Sequence, residues 1–593
     1  MPDWSYHGIF RPVLSKLPPT VSREFIHKRM NMIASLPFGL GGHIINFLGR
    51  EESSLLLQKR LNGLSFKNQV GLSGKIDPHL TGTKAFTNLG FGFLEIGPVT
   101  ILPTENWTTP VVVEKEKRII FPEKVESIGL IETINVLKKV KKKQPIFIRL
   151  SGNPEEMKKM MDSLDSFADG LILEEIESDK NYSSTKPIYL SMLASSSLSL
   201  EEIKQFAGVV IEEDSGLAEL KEKINKLRLE GYKGTVISSG GGIYEPDDAL
   251  HLIDAGADLV MVADGYVFSG PGLTKRINEA LLDELNPKTS PQSGWVSYWL
   301  FGLFIFLGGL LALLFSVTTI ILPYDEYFLG MKRDTIWAFN DRIMLFMSHD
   351  RMTLAGTMVS GGIVYMQLAK YGVKRGMKWA KQAIDAAAIL GFLGIFAFIG
   401  YGYFDWLHLI FWLVLLPFYV VGFIKTRNIS GTASSKNRKN HSVWKISLYG
   451  QLAFVILGFS FVIGGIIISY IGVTSVFVST DLLYICMSPE MLEQFNRNLI
   501  PVIAHDRAGF GSALLSVGLL VLMLALWGFH QGNKWVWWTF FIGGLPAFLA
   551  GIYVHFAIGY TTFIHLLPAY FALVLFVVGL VLSYRFFHLT KKQ

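Results

Sequence analysis

Apolar and polar positions divide the chain at Val296–Leu322, which reads VSYWLFGLFIFLGGLLALLFSVTTIIL without one formal charge. At about 1.5 Å per helical residue it exceeds the ~30 Å hydrocarbon core of a bilayer. Ahead of it, from Leu64, short apolar runs alternate with polar, helix-like stretches. The runs are Gln69–Leu72, Phe93–Ile96, Pro145–Leu150, Gly170–Leu173, Pro187–Leu190, Gly208–Ile211, Thr235–Ser238 and Leu259–Val262. Eight buried strands separated by helices such as Asn153–Phe167 and Leu200–Phe206 predict a (β/α)8 TIM barrel over residues 61–290. Residues 1–60 carry amphipathic runs, with Trp4, Tyr6, Ile9, Phe10, Val13 and Leu14 on one and Phe25, Met30, Met32 and Ile33 on the next. They predict N-terminal helices that either cap the barrel or lie in a membrane interface.

Behind the divide the pattern is that of an all-α membrane domain. Seven more spans follow: Leu354–Tyr371, Ala386–Phe404, Leu407–Phe423, Leu448–Ile471, Phe510–Phe529, Trp535–Phe556 and Phe563–Tyr584, eight transmembrane helices in all. Basic residues gather between spans, at Lys374, Arg375, Lys378 and Lys381 and again from Lys425 to Lys445. By the positive-inside rule these loops, the barrel and the C-terminus share the cytosolic side of the cytoplasmic membrane. Residues 426–446 are polar and basic and read as a flexible cytosolic linker.

The linker separates two stretches that repeat a pattern. Asp325, Phe339-Asn340, His349-Asp350-Arg351, Ser360 and Gly362 recur 156 positions later as Asp481, Phe495-Asn496, His505-Asp506-Arg507, Ser516 and Gly518. Gly402-Tyr403 and His408 recur 157 later as Gly559-Tyr560 and His565. This predicts two tandem four-helix repeats, 296–425 and 447–587, in one orientation. Asp325, His349, Asp350, Arg351, His408, Asp481, His505, Asp506, Arg507 and His565 then form a polar cluster near the outer face. Such residues are functional candidates. Their readings are helix caps with interfacial arginine anchors, a metal or haem site, or a proton relay.

Composition adds exclusions. The net charge is +6, and a single cysteine, Cys486, rules out an internal disulfide framework. The basic run Lys138–Lys143 reads as a solvated helix end, and no nucleic-acid partner is expected. The first residues, MPDWSYHGIFRPVL, lack the apolar core of a secretory signal, so the barrel is expected to stay cytosolic.

The clearest chemistry closes the first half. Ser238-Ser239-Gly240-Gly241-Gly242-Ile243 follows a strand and precedes a helix, and a second glycine turn, Ala263-Asp264-Gly265, follows the next strand. Glycines in these places let backbone N–H groups approach a phosphate.

With Leu64-Ser65-Phe66-Lys67-Asn68-Gln69-Val70-Gly71-Leu72, Gly90-Phe91-Gly92-Phe93-Leu94-Glu95-Ile96-Gly97-Pro98-Val99-Thr100 and Gly270-Pro271, the first 285 residues resemble the membrane-associated, quinone-linked dihydroorotate dehydrogenases. The resemblance implies a barrel holding FMN, approached by Ser73, Gly74, Gly97, Gly241, Gly242, Asp264 and Gly265. It also implies an N-terminal helical pair that leads membrane quinone to the flavin. It offers no family for the membrane half.

Departures from the family are informative. The segment that carries the family's catalytic serine reads Glu174-Glu175-Ile176-Glu177-Ser178-Asp179, which makes Glu177 the candidate base. Ser191 or a neighbour stands for the flavin lysine, Pro78 for the substrate lysine and Glu213 for the asparagine of an Asn-Thr-Thr segment. Like charges ~4 Å apart cost about 4 kcal/mol at an effective dielectric of roughly 20. Glu174, Glu177 and Glu213 therefore predict poor turnover of dihydroorotate, a carboxylate, and a neutral or cationic small-molecule substrate. Asp264, where the family has a hydroxyl, opposes a phosphate dianion unless it points away. Three readings follow: a membrane-bound flavoprotein passing electrons to quinone, a flavin-free barrel serving a functional membrane domain as sensor or assembly body, and a transporter.

Overall fold

In a computed structural model of the chain, the described residues are 2–50, 54–104, 109–115, 117–121, 126–174, 184–196, 199–212, 216–240, 242–285, 291–397 and 402–590. Two compact units form. One is the barrel half with Ala433–Leu448, and the other is the helical half up to Thr432 and over Tyr449–Thr590.

All eight predicted strands are present. They are β1 (Val70–Leu72), β2 (Phe93–Val99), β3 (Ile146–Leu150), β4 (Gly170–Leu173), β5 (Ile188–Leu193), β6 (Gly208–Glu212), β7 (Thr235–Gly240) and β8 (Leu259–Val262). Each pairs in parallel with its neighbour in the chain, and β8 returns to β1 with Val260 opposite Val70, closing the barrel. Runs apolar on both faces suit such a sheet, because helices cover it outside and side chains fill it within. Phe93, Phe147, Ile172, Tyr189, Val210, Ile237 and Met261 make the inner core. The hairpin Lys59–Leu61/Leu64–Phe66 plugs one end: Phe66 is fully buried, and Asn62 Nδ2 donates to Tyr189 Oη at 3.0 Å and Thr235 Oγ1 at 2.9 Å.

The N-terminal helices α1 (Pro19–Ala34) and α2 (Leu40–Gly49) meet at 92° across Pro37–Gly39. Gly39 supplies the left-handed conformation at φ 74° that starts α2. Val21, Phe25, Met32, Ile33, Leu36, Phe38, Leu40 and Ile44 are all exposed, Phe38 at 96%. An exposed apolar set of this kind, interrupted by exposed Lys28 and Arg29, suits a membrane interface better than water.

The segment read as a flexible linker is ordered over Ala433–Leu448 against the barrel half. Arg438, 2% exposed, reaches Asp283 at 2.8 Å and Glu284 at 3.0 Å. Asn440 Nδ2 donates to Tyr244 O at 2.7 Å and Ser269 Oγ at 3.0 Å, and its backbone N–H donates to Glu245 at 2.9 Å. Arg276 lies 4.2 Å from the Trp444 ring centre. Polar composition signalled solubility here, but the partners are themselves polar groups of the barrel half.

Among the described residues, seven helices are long and apolar enough to cross a membrane: α3 (Trp295–Thr318), the stretch Asp341–Arg375 that begins with α4 (Asp341–Gln367), α6 (Trp406–Lys425), α7 (Ser442–Gly472), α8 (Leu499–Trp527), α9 (Lys534–Ile558) and α10 (Phe563–His588). At the eighth predicted span, α5 (Lys378–Leu393) and the turn Gly394–Ala397 are described, and residues 398–401 lie outside the described set. The most apolar stretches of α4 and α8 are 72% and 61% buried, against 17–33% for the other five spans, so α4 and α8 are central. Backbones approach closely around them. A Cβ on Gly302 or Gly309 would come within 2.8 Å of Met366 N or Val359 N on α4. One on Gly458 or Gly465 of α7 would meet Leu522 N or Leu515 N of α8 at 2.8 and 2.5 Å. Small residues permit such contact, which drives helix association where hydrophobicity cannot.

Both central helices begin earlier than hydropathy predicts, at Asp341 rather than Leu354 and at Leu499 rather than Phe510. His349-Asp350-Arg351 and His505-Asp506-Arg507 therefore lie inside helices and are not caps. Asn340 is the cap of α4, accepting from Arg342 N at 3.1 Å. The arginines are not interfacial anchors either, since each is paired within the bundle.

Candidate functional site

Towards the C-terminal ends of the barrel strands, five charged side chains lock together. Arg149 on β3 is 1% exposed. Its Nε donates to Glu95 Oε1 on β2 at 2.6 Å, and its Nη1 donates to Glu212 on β6. Nη1 also lies 3.5 Å from Glu174. Lys75, just after β1, reaches Glu212 at 2.5 Å, and Ser191 Oγ on β5 donates to Glu212 at 2.7 Å. Glu95 Oε2 accepts from Ser73 Oγ at 3.0 Å and from Gly74 N at 2.8 Å. Burial by itself would raise the Glu212 carboxyl, but Arg149 and Lys75 hold it well below the usual carboxylate range. Beside the acidic residues expected from the sequence, the described residues place two cations: buried Arg149 and half-buried Lys75 interleave with Glu95, Glu174 and Glu212. Their signal was a lone charge inside an apolar strand, Arg149 in IFIRL and Glu95 in FLEI.

Other residues expected to contact flavin are closely packed. A Cβ on Gly74 would stand 2.3 Å from Gly97 O, and one on Gly265 would stand 1.8 Å from Ile243 O, so both glycines permit backbone packing. Gly97 (φ 108°) and Gly242 (φ 90°) hold left-handed backbone. Asp264, 2% exposed, accepts from Ile119 N at 2.8 Å. Glu177, Glu213 and Gly241 lie outside the described residues. The buried guanidinium is committed to two carboxylates, carboxylates outnumber cations, and a further buried carboxylate, Asp264, stands beside the glycine turn where a phosphate needs donors.

Between the N-terminal segment and the barrel lies a cavity of about 320 Å³. Leu14, Leu17, Ile26, Val112, Phe121 and Phe268 line it, and Lys75 and Tyr266 reach it from the barrel.

The helical half holds a second polar centre, where every charge has a partner. Arg351 on α4 pairs with Asp325 at 2.9 Å and with Asp506 on α8 at 2.7 Å. Arg507 on α8 pairs with Asp481 and, at 3.3 Å, with Asp350 on α4. Tyr403 donates to Asp325, and Tyr560 donates to Asp481 at 2.8 Å. The pairs exchange between the two stretches. Asn340 Nδ2 donates to Ile485 O, and Asn496 Nδ2 donates to Leu329 O, both at 2.9 Å.

The histidines form two groups. His349 (α4) meets His555 (α9) and His565 (α10), and the ligand atoms of all three lie within 4.8 Å of one another. His505 (α8) meets His408 (α6) at 3.2 Å and Asp405 at 3.3 Å. Four of these residues were expected from recurrence; Asp405 and His555 were not. The positions 157 away hold Thr562 and Phe398, so no repeat pointed to them. An apolar cavity of about 170 Å³, bounded by Phe301, Leu354, Phe392, Phe411 and Trp412, reaches His408.

No known protein-family model matches the chain. Its first half is similar to the dihydroorotate dehydrogenase (quinone) of Christiangramia forsetii, 23% identical over 353 residues that cover 47% of this chain and 99% of that protein. The corresponding protein of Shewanella sp. strain ANA-3 is 25% identical over 300 residues, covering 37% of this chain and 84% of its own length. Among solved structures, a dihydroorotate dehydrogenase of Eimeria tenella in complex with ferulenol aligns at 18% identity and a TM-score of 0.37, over 45% of this chain and 92% of that one.

Proposed function

We propose that the protein is a membrane-bound relative of the quinone-linked dihydroorotate dehydrogenases whose barrel receives a lipophilic, quinone-class ligand and has lost the chemistry of dihydroorotate. The barrel then serves as the sensor or assembly body of a membrane domain whose His/Asp/Arg centre carries the function. The carrying observation is Arg149, held between Glu95 and Glu212. A carboxylate substrate needs free cations, and here the buried cation is already neutralised. The exposed apolar face of α1 and α2 and the cavity beside them support access from lipid. In this reading residues 61–290 are the cytosolic barrel, the basic loops face the same side, and 296–425 and 447–587 are repeats of one four-helix unit.

A second reading, a working flavoprotein oxidoreductase that passes electrons to quinone, draws on the likeness to the quinone enzymes, which supports a dehydrogenase-like function. One absorption spectrum of the detergent-purified protein, followed by an assay with dihydroorotate and a quinone analogue, separates the two. The first reading expects no flavin bands and no turnover. Flavin at one equivalent with turnover at ordinary enzyme rates sinks it.

A further inference from the structure

The tri-histidine group contains a conflict that hydrogen bonding between neutral rings does not resolve. His349 Nδ1 lies 2.9 Å from Asp350 Oδ1, and His555 Nδ1 lies 2.5 Å from Gly551 O. A carbonyl accepts only, and so does a carboxylate paired with Arg507. Both Nδ1 atoms therefore carry the proton, and in neutral rings both Nε2 atoms present lone pairs. Those two Nε2 atoms face each other at 3.0 Å, with His349 and His555 only 5% and 6% exposed. Two acceptors buried at that distance need either a third proton, making one ring an imidazolium, or a metal ion between them. His565 adds a third nitrogen, its ring stacked on Tyr560 with centres 4.0 Å apart.

We propose that His349, His555 and His565 hold a divalent late first-row transition metal, Zn2+ or a metal of like preference. Three imidazoles and one open position are a common set for such ions. With metal–nitrogen bonds of ~2.0–2.1 Å, tetrahedral ligands stand about 3.3 Å apart, close to the 3.0 Å between the Nε2 atoms of His349 and His555. The trans axial ligands of a haem iron stand roughly 4 Å apart, so the 3.0 Å between His349 and His555 favours a bare ion for that pair. Asp350 and the Gly551 carbonyl orient the rings from behind, as outer partners of metal-bound histidines do. The Asp405–His408–His505 group carries no such conflict. Its 2.5 Å contact between Asp405 Oδ2 and His408 Nδ1 is satisfied by a proton, and the proposal is confined to the three histidines.

The inference gives a chemical identity to the membrane centre of the proposed function and rests on that reading only for its biological use. Flavin in the barrel would overturn the earlier reading and leave this one standing. The test is the full-length protein in detergent, stripped with chelator and titrated with Co2+ while its visible d–d absorption is followed. Wild type is expected to bind one equivalent that His555→Ala lacks. His565→Ala is expected to weaken binding more than ~100-fold, since losing even an outer partner costs roughly 10–100-fold. Equal Co2+ binding by wild type and both variants means that a proton sits between the rings, and the proposal falls. X-ray absorption on Zn2+-loaded wild type needs no variant. It is expected to show imidazole nitrogen at ~2.0–2.1 Å, and a shell without imidazole overturns the assignment.

Discussion

The Phe339 ring stacks on Phe495, centres 3.8 Å and planes 8° apart, so two residues 156 positions apart in the chain meet each other. Around this contact the reciprocal bonds of Asn340 and Asn496 and the exchanged pairs Arg351–Asp506 and Arg507–Asp350 follow the same offset. Aromatic pairs contribute about 0.5–1.5 kcal/mol beyond burial. Phe339→Ala, Phe495→Ala and the double variant are expected to show a coupling of that size in thermal or denaturant unfolding in detergent. Additive losses would mean that the stack contributes nothing of its own.

Arg149→Met is expected to destabilise the barrel by about 3–5 kcal/mol, because Glu95 and Glu212 lose a buried counter-charge. Lys75 still faces Glu212, so Glu95→Gln made in the Arg149→Met background should recover part of the loss. Denaturant unfolding with a barrel-specific fluorescence probe reads it. A loss under ~1 kcal/mol would show that the network is solvated.

His79 joins α1 to the barrel and predicts a pH dependence. Hydrogen bonds to Glu126 and Glu24 raise it from 6.5 to about 9. A histidine raised on folding stabilises fully below its unfolded value, and the effect is lost as pH rises through the folded one. The attachment of α1 should therefore weaken between pH 6.5 and about 9, seen as faster hydrogen exchange in α1 after correction for intrinsic rates. His79→Ala should remove that dependence. A flat profile in wild type would contradict it.

Gly465→Leu should break the α7–α8 crossing, where a Cβ already stands 2.5 Å from Leu515 N. Overpacking costs typically 1–3 kcal/mol, and backbone cannot yield as a side chain does. The expected result is a lower unfolding temperature and loss of a single species on gel filtration in detergent. Gly464→Leu on the same helix, whose Cβ meets only Leu514 Cδ2 at 3.8 Å, is the control and should be tolerated.

Sequence alone determined the division into a barrel half and an apolar helical half, and all eight strands, because hydrophobic period and uncharged length are local properties. It also marked the recurrent Asp, His and Arg positions, since recurrence needs no coordinates. Only the tertiary structure decided what those charges do. Hydropathy counted Arg351 and Asp506 against a span, yet as partners they lie inside helices, and pairing across 155 positions leaves no local trace. The same holds for Arg149 among its glutamates, and for His555, whose meeting with His349 depends on how α4 packs against α9.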